Sequence, residues 1–252
     1  MSDFFVKLAE NKKDIESAQR LRYEVFNVEL KCGFRSSSGN GLDVDSFDDK
    51  CDHVLIIDKK KAQTIGTYRL LLRSKLGPGG TFYSEGEFDL KNIKMVKGEI
   101  LEMGRSCVHK DYRNSSILHL LWQRILAYVE DYHVNYIIGV PSFYSMDAIE
   151  INPVYSLMKK LYLSHDRYRV HPLKNCRVPD LDDSLDLAGQ ERKVFLKLPS
   201  LIRSYLKIGA YVCGEPALDR DFGTADFFML LEVANIAESY LRRFRVHNIP
   251  IR

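Results

Sequence analysis

Ile100-Leu101-Glu102-Met103-Gly104-Arg105-Ser106-Cys107-Val108, followed after a short polar link by Ile117 to Tyr132, is the stretch on which the fold turns. The first run reads as a β-strand. The second reads as a helix, because Leu118, Leu121, Ile125, Val129 and Tyr132 recur at the spacing of one apolar stripe. Working upstream, His53 to Asp58 and Thr64 to Leu72 are β-type runs joined by the polar Lys59-Lys60-Lys61-Ala62-Gln63, the pattern of a hairpin. Phe4 to Leu8 is a first strand, and Asp14 to Phe26 places Ile15, Ala18, Leu21, Val25 and Phe26 at helical spacing. Lys31 to Lys50, rich in Gly, Ser and Asp, reads as a long loop, and long loops inside compact domains are commonly functional.

Gly77-Pro78-Gly79-Gly80 breaks the chain after the hairpin. Downstream, Tyr136 to Val140 is a short strand, and Pro153 to Leu163 a helix with Asn152 as cap and Pro at its first position. An Asp-rich stretch (Asp180 to Asp186), the apolar Val194 to Leu198, a helix near Leu201 to Lys207 and a strand at Ala210 to Cys213 follow. Asp226 to Glu232 is expected to be the last strand, ahead of a helix to about Phe244. The expectation is one α/β domain over 1–252 with a mixed, strongly bent sheet, in which 165–252 is an extension of the same domain or a loosely attached lobe.

Composition narrows the class. Hydrophobic residues at 45% and charged residues at 28% of 252 are those of an ordinary globular chain, which excludes disorder, collagen and coiled coil. The apolar runs Val54 to Ile57 and Phe227 to Leu231 fall far short of the roughly 20 residues that span a bilayer. The residues from Met1 to Lys7 lack a cationic segment followed by an apolar one, so a cytoplasmic location is expected. The five cysteines are odd in number and form no CxxC pair, which points neither to a disulfide framework nor to zinc. A net charge of +3 supplies no field for nucleic acid. The charge is uneven, however. Lys159, Lys160, Arg167, Arg169, Lys174 and Arg177 surround a lone Asp166, while Asp43, Asp45, Asp48, Asp49 and Asp52 surround a lone Lys50. Either run reads equally well as a solvated loop or as a docking surface for an acidic partner or a cationic substrate.

The order strand, helix, long loop, hairpin, strand, helix, strand, helix resembles the GNAT acyltransferase fold. At Arg22, Phe26, Asp45, Asp48, Arg69, Glu102 and Arg105 the sequence resembles the acyl-homoserine-lactone synthases. A wider resemblance is to the ornithine N-acyltransferases of ornithine-lipid synthesis, sometimes labelled hemolysin-like. It is carried by Leu101 to His109 with Asp111-Tyr112-Arg113-Asn114, by Lys207-Ile208-Gly209-Ala210-Tyr211-Val212-Cys213-Gly214-Glu215-Pro216, and by Asp221-Phe222-Gly223-Thr224-Ala225-Asp226-Phe227.

The resemblance implies attack of an amino acid's α-amine on the thioester of a (3-hydroxy)acyl carrier protein, with L-ornithine the expected acceptor and no cofactor or metal beyond the acyl donor. Glu102 is the expected general base and Arg105 its catalytic neighbour. A carboxylate suffices because an α-amino group titrates at roughly 8. The competing role is structural: Glu102 and Arg105 paired with each other, or with Arg22 and Asp48, to hold the loop. Arg22, Arg69 or Arg105 would clamp the substrate carboxylate and Asp45 or Asp48 a second ammonium, with Phe26 beside them. Gly104 is the expected site of a strand bulge that exposes backbone N–H groups to the oxyanion.

The helix start Arg113-Asn114-Ser115-Ser116 lacks the glycines of acetyl-CoA enzymes, yet with Val108 it would hold a pantetheine phosphate. The carrier protein is acidic, and the run Lys159 to Arg177 or the tail with Arg242, Arg243 and Arg245 would complement it; the same tail would give peripheral contact with an anionic membrane. Cys107 and His109 invite a nucleophile reading, against which stands the absence of a third orienting group. A lactone-type signal synthase, an N-acyltransferase for glycine or another amino acid, and a non-catalytic binder of acyl chains or carrier protein remain alternatives.

Overall fold

The computed structural model describes residues 3–32, 39–113 and 115–236, without the side chain of Ser115. In chain order the elements are β1 (Phe4–Leu8), α1 (Lys12–Arg22), β2 (Asp52–Asp58), β3 (Gln63–Leu72), β4 (Phe88–Asp89), α2 (Lys91–Lys94), β5 (Glu99–Val108) and α3 (Ser115–Asp131). Then come β6 (Val134–Gly139), β7 (Ser142–Phe143), α4 (Ala148–Tyr162), β8 (His171–Pro172), α5 (Glu191–Lys197), α6 (Ser200–Ile208), β9 (Tyr211–Val212), β10 (Ala217–Asp219), β11 (Thr224–Asp226) and β12 (Met229–Glu232). They form two compact units, one of Met1–Gly80 with Leu101–Val134, the other of Thr81–Ile100 with Asn135–Ala237.

In the first unit β1, β2, β3 and β5 pair antiparallel in that order. Val54, Leu55 and Ile56 are all fully buried, so β2 is covered on both faces, as its unbroken apolar run requires. α1 packs on β3, and α3 on β2. Asn11 caps α1 by accepting from the Asp14 N–H at 3.1 Å, and Ala18, Leu21 and Val25 face inward at helical spacing. Beyond Arg22 the backbone widens into a π-helix, Tyr23–Glu29, a form that is rare and tends to mark functional sites.

In the second unit β12 lies between β6 and β9, β11 lies between β10 and β7, and β4 pairs with β8. Two of the glycine-bearing motifs are explained here. Gly209 closes α6 in the left-handed conformation with φ 105, and at Gly214 a Cβ would stand 2.2 Å from the Val170 carbonyl oxygen. Gly223, φ 67, turns the chain between β10 and β11, while the Asp219 carboxylate accepts from the N–H groups of Asp221 and Phe222 at 2.9 and 3.0 Å.

Three expectations change. α4 starts at Ala148 under an Asp147 cap, which accepts from Ile149 N–H at 2.9 Å, and Pro153 lies inside the helix. Asn152 instead holds the Asp-rich stretch, donating to Asp180 O at 3.3 Å and accepting from Asp182 N at 3.1 Å. The run Asp226 to Glu232 is split between β11 and β12, because Phe227 and Phe228, both buried, turn the chain from one sheet to the other. The bulge is at Arg105, not Gly104: Thr67 faces Cys107 and Arg69 faces Gly104, so Arg105 and Ser106 share Tyr68 as partner, and Arg105 has φ 51. The helix expected to reach Phe244 falls outside the described residues past 236.

Candidate active site

The last turn of α1 points Arg22 into the first unit, where it is fully buried. An unpaired guanidinium there would be prohibitive, and two aspartates of the loop and one backbone carbonyl answer it. Arg22 donates from Nε to Asp43 Oδ1 at 2.9 Å, from Nη1 to Asp48 Oδ1 at 2.9 Å and from Nη2 to Asp48 Oδ2 at 2.7 Å, and Nη2 also reaches the Asp43 carbonyl. Arg69, on β3, donates to both Asp45 oxygens at 2.6 Å and to Asp48 Oδ1 at 3.1 Å. Arg105 closes the set against Asp43, its guanidinium carbon 4.6 Å from the centre of the Phe26 ring. Gln19 adds a hydrogen bond to Asp48 Oδ2 at 2.9 Å.

Burial alone would push the Asp48 carboxyl up, but hydrogen bonding and charge from Arg22, then the charge of Arg69, hold it well below the usual carboxylate range. His53 lies 3.0 Å from the Asp48 carbonyl through Nε2, and burial lowers its pKa, so the neutral ring donates there.

Glu102 is buried on β5 opposite Leu71, while Gly104 is opposite Arg69. Residues two apart share a strand face, so Glu102, Gly104 and Arg69 look the same way. Burial pushes the nearby Cys51 thiol up to about 12, and the carboxylates of Asp45, Glu102 and Asp48 add to it, which puts all three in one electrostatic neighbourhood. Among the described residues, four carboxylates (Asp43, Asp45, Asp48, Glu102) and three guanidiniums (Arg22, Arg69, Arg105) share this site, a formal excess of one negative charge suited to a cationic ligand.

Of the residues named from sequence, Arg22, Phe26, Asp45, Asp48, Arg69, Glu102 and Arg105 thus come together. Asp43, Gln19 and His53 join them without having been singled out. Asp43 lies in the same acidic run, so its spacing could have found it, whereas nothing in residue type distinguishes His53 or Gln19. Arg113 grips Glu29 bidentately at 2.6 and 2.7 Å and donates to the carbonyl of Val108 at 3.0 Å. Ser116 is exposed in the first turn of α3; Asn114 and the Ser115 side chain fall outside the described residues.

Four cations of the basic run have acidic partners: Lys159 with Asp183, Lys160 with Glu191, Arg167 with Glu232, Arg169 with Asp166. Arg242, Arg243 and Arg245 are not among the described residues. No nucleophilic dyad is built at Cys107, whose thiol burial pushes up to about 12, because His109 turns to Glu24 at 3.1 Å. In the second unit the carboxylates of Glu87, Asp219 and Asp226 lie within 4.8 Å of one another.

Strands feeding a bulged β5, followed by α3, with buried ion pairs on the strand face, define a GNAT-type acyltransferase. The model of the acetyltransferase (GNAT) domain family matches residues 21–123. Over 257 aligned residues the chain is 30% identical to an L-ornithine N(alpha)-acyltransferase of Rhodobacter capsulatus, covering 98% of this chain and 96% of that one. It is 32% identical to the enzyme of the same name from Rhizobium meliloti over 94% of this chain and 83% of the relative. The chain belongs to the L-ornithine N(alpha)-acyltransferase family. Among solved structures it is similar in fold to the AHL synthase LasI, with TM-score 0.54, 13% identity and full coverage of both chains. It is similar also to FeeM, an N-acyl amino acid synthase from uncultured soil microbes, with TM-score 0.52, 9% identity and coverage of 93% and 94%. Among the described residues no helix is long and apolar enough to cross a membrane.

Proposed function

We propose that this acyltransferase moves a 3-hydroxyacyl chain from the thioester of an acyl carrier protein to the α-amine of L-ornithine. The ammonium gives a proton to Glu102, directly or through a water. The amine nitrogen attacks the thioester carbonyl carbon, and a backbone N–H of the Arg105–Ser106 bulge stabilises the oxyanion. Collapse breaks the C–S bond, releases the carrier thiol and leaves an N-acyl amino acid, a lyso-lipid. Arg22, its donors spent on Asp43 and Asp48, sets the loop. Arg69 and Arg105, held by the aspartates of that loop, orient the substrate carboxylate. Asp45, the most exposed of the three network aspartates, takes the side-chain ammonium. Val108, Arg113, Asn114, Ser115 and Ser116 take the pantetheine arm. The Arg242 to Arg245 tail gives the enzyme peripheral contact with an anionic membrane, where the amphiphilic product belongs.

The observation that carries this reading is the buried network that the loop aspartates Asp43, Asp45 and Asp48 build on Arg22, Arg69 and Arg105, with Glu102 on the strand face that Arg69 shares. Incubation with 3-hydroxyacyl carrier thioester and, in parallel, L-ornithine, glycine, lysine, glutamine and S-adenosylmethionine tests it. Thiol release with N-acyl ornithine in the mass spectrum is expected. Turnover with another amine alone, or tight carrier binding with no thiol release, contradicts it.

A further inference from the structure

Glycine in a strand weakens it, so a strand glycine asks for a reason. The usual two are a left-handed backbone and a neighbour too close for a Cβ. Neither applies at Gly104: it is not among the positive-φ glycines, and a Cβ built on it meets no heavy atom of the described residues within 4 Å. On the neighbouring strand Gly66, by contrast, would bring its Cβ to 3.4 Å from Ile56 Cδ1. The position that does adopt the left-handed backbone is the next one, Arg105, first residue of the bulge, where glycine is the common choice. Arginine stands there because Asp43 needs its guanidinium. The glycine is therefore one residue away from where the backbone would use it, and among the described residues the space beside it is open.

That space has a definite address. Gly104 faces Arg69 across the ladder and shares its strand face with Glu102 two residues away. A ligand lying over Gly104 would have the Glu102 carboxylate on one side and the Arg69–Asp45 ion pair, held at 2.6 Å, on the other. A carbon skeleton carrying an amine at one end and a charged group at the other matches those neighbours.

We propose that Gly104 is a specificity-determining residue: its missing side chain leaves the passage in which the skeleton of the amino-acid acceptor lies when its amine reaches Glu102. The assignment rests on the acceptor reading given above. It concerns the acceptor and not the acyl donor.

Gly104→Ala and Gly104→Val in the full chain test it, with KM measured separately for L-ornithine and for the acyl carrier thioester, alongside thermal melting. Both variants are expected to melt at or above the wild-type temperature. One added methyl group is expected to raise KM for ornithine at least about tenfold, with the donor KM moved less than about threefold, and valine is expected to remove saturation by ornithine altogether. Wild-type ornithine KM in folded variants overturns the assignment, as does a rise confined to the donor KM. Loss of folding in Gly104→Ala overturns it too, since open space tolerates a methyl group. If the wild-type chain acylates none of the amines tested, the acceptor reading falls and this inference with it; if the wild type is active and the variants are unaffected, only this inference falls.

Discussion

Arg22 and Asp48 meet end to end inside the first unit, Nη1 at 2.9 Å from Oδ1 and Nη2 at 2.7 Å from Oδ2, on side chains almost without solvent contact. The pair ties the end of α1 to the loop 29 residues beyond Gln19, which bonds the same carboxylate. Breaking a buried pair strands its partner, so Arg22→Ala should cost about 3–5 kcal/mol in chemical denaturation. A loss near zero would mean that the loop is held by other contacts.

The same pair predicts an acid limb. Asp48 is held well below its ordinary value of 3.8, so its contribution to stability is present above that value and is lost as pH falls through it toward the depressed folded value. Asp48→Asn should be less stable than wild type at neutral pH. Its denaturation midpoint should also fall less steeply than wild type between about pH 4 and pH 2. Parallel curves would contradict the coupling.

Asp226 predicts the opposite slope in the second unit. Burial pushes its carboxyl up to about 7, with Asp219 adding to the rise and the Thr224 hydroxyl, 2.7 Å away, opposing it. A raised folded value gives stability that is complete below the ordinary value of 3.8 and is lost as pH climbs through about 7. Asp226→Asn, which keeps the neutral form, should melt higher than wild type at pH 8 and close to it at pH 4. Equal melting at both would show that the carboxyl titrates normally.

Cys107 should be dispensable to the chemistry. Its thiol is pushed up to about 12 by burial, so alkylation of the folded protein at pH 7.5 should be slow, and Cys107→Ala should keep activity at about 1–2 kcal/mol of lost packing against Leu21 and Val25. Loss of turnover in a folded Cys107→Ala protein would reopen a covalent route.

Much of this was legible in the sequence wherever pattern and element coincide. β1 was read to its last residue, and the hairpin and α3 to within two, because their apolar spacing has no competitor. Local signals misled where tertiary contacts decide. Asn152-Pro153 imitates a helix start, but Asn152 is needed by the Asp180 to Asp182 turn, and the helix begins five residues earlier, at Ala148 under its Asp147 cap. The run from Asp226 reads as one strand because its apolar residues are continuous, whereas two sheets claim its halves. At the site the seven spaced residues could be grouped by resemblance, but who pairs with whom was not readable. That depends on which face Arg105 takes, and its left-handed backbone at the bulge sets it against the preference of every residue but glycine.

Glu102→Gln bears most directly on the proposed chemistry. With 3-hydroxyacyl carrier thioester and L-ornithine, thiol release should fall by about 10²–10⁴ while the melting temperature stays within a few degrees of wild type. Turnover within about tenfold of wild type in the folded variant would remove Glu102 as the base.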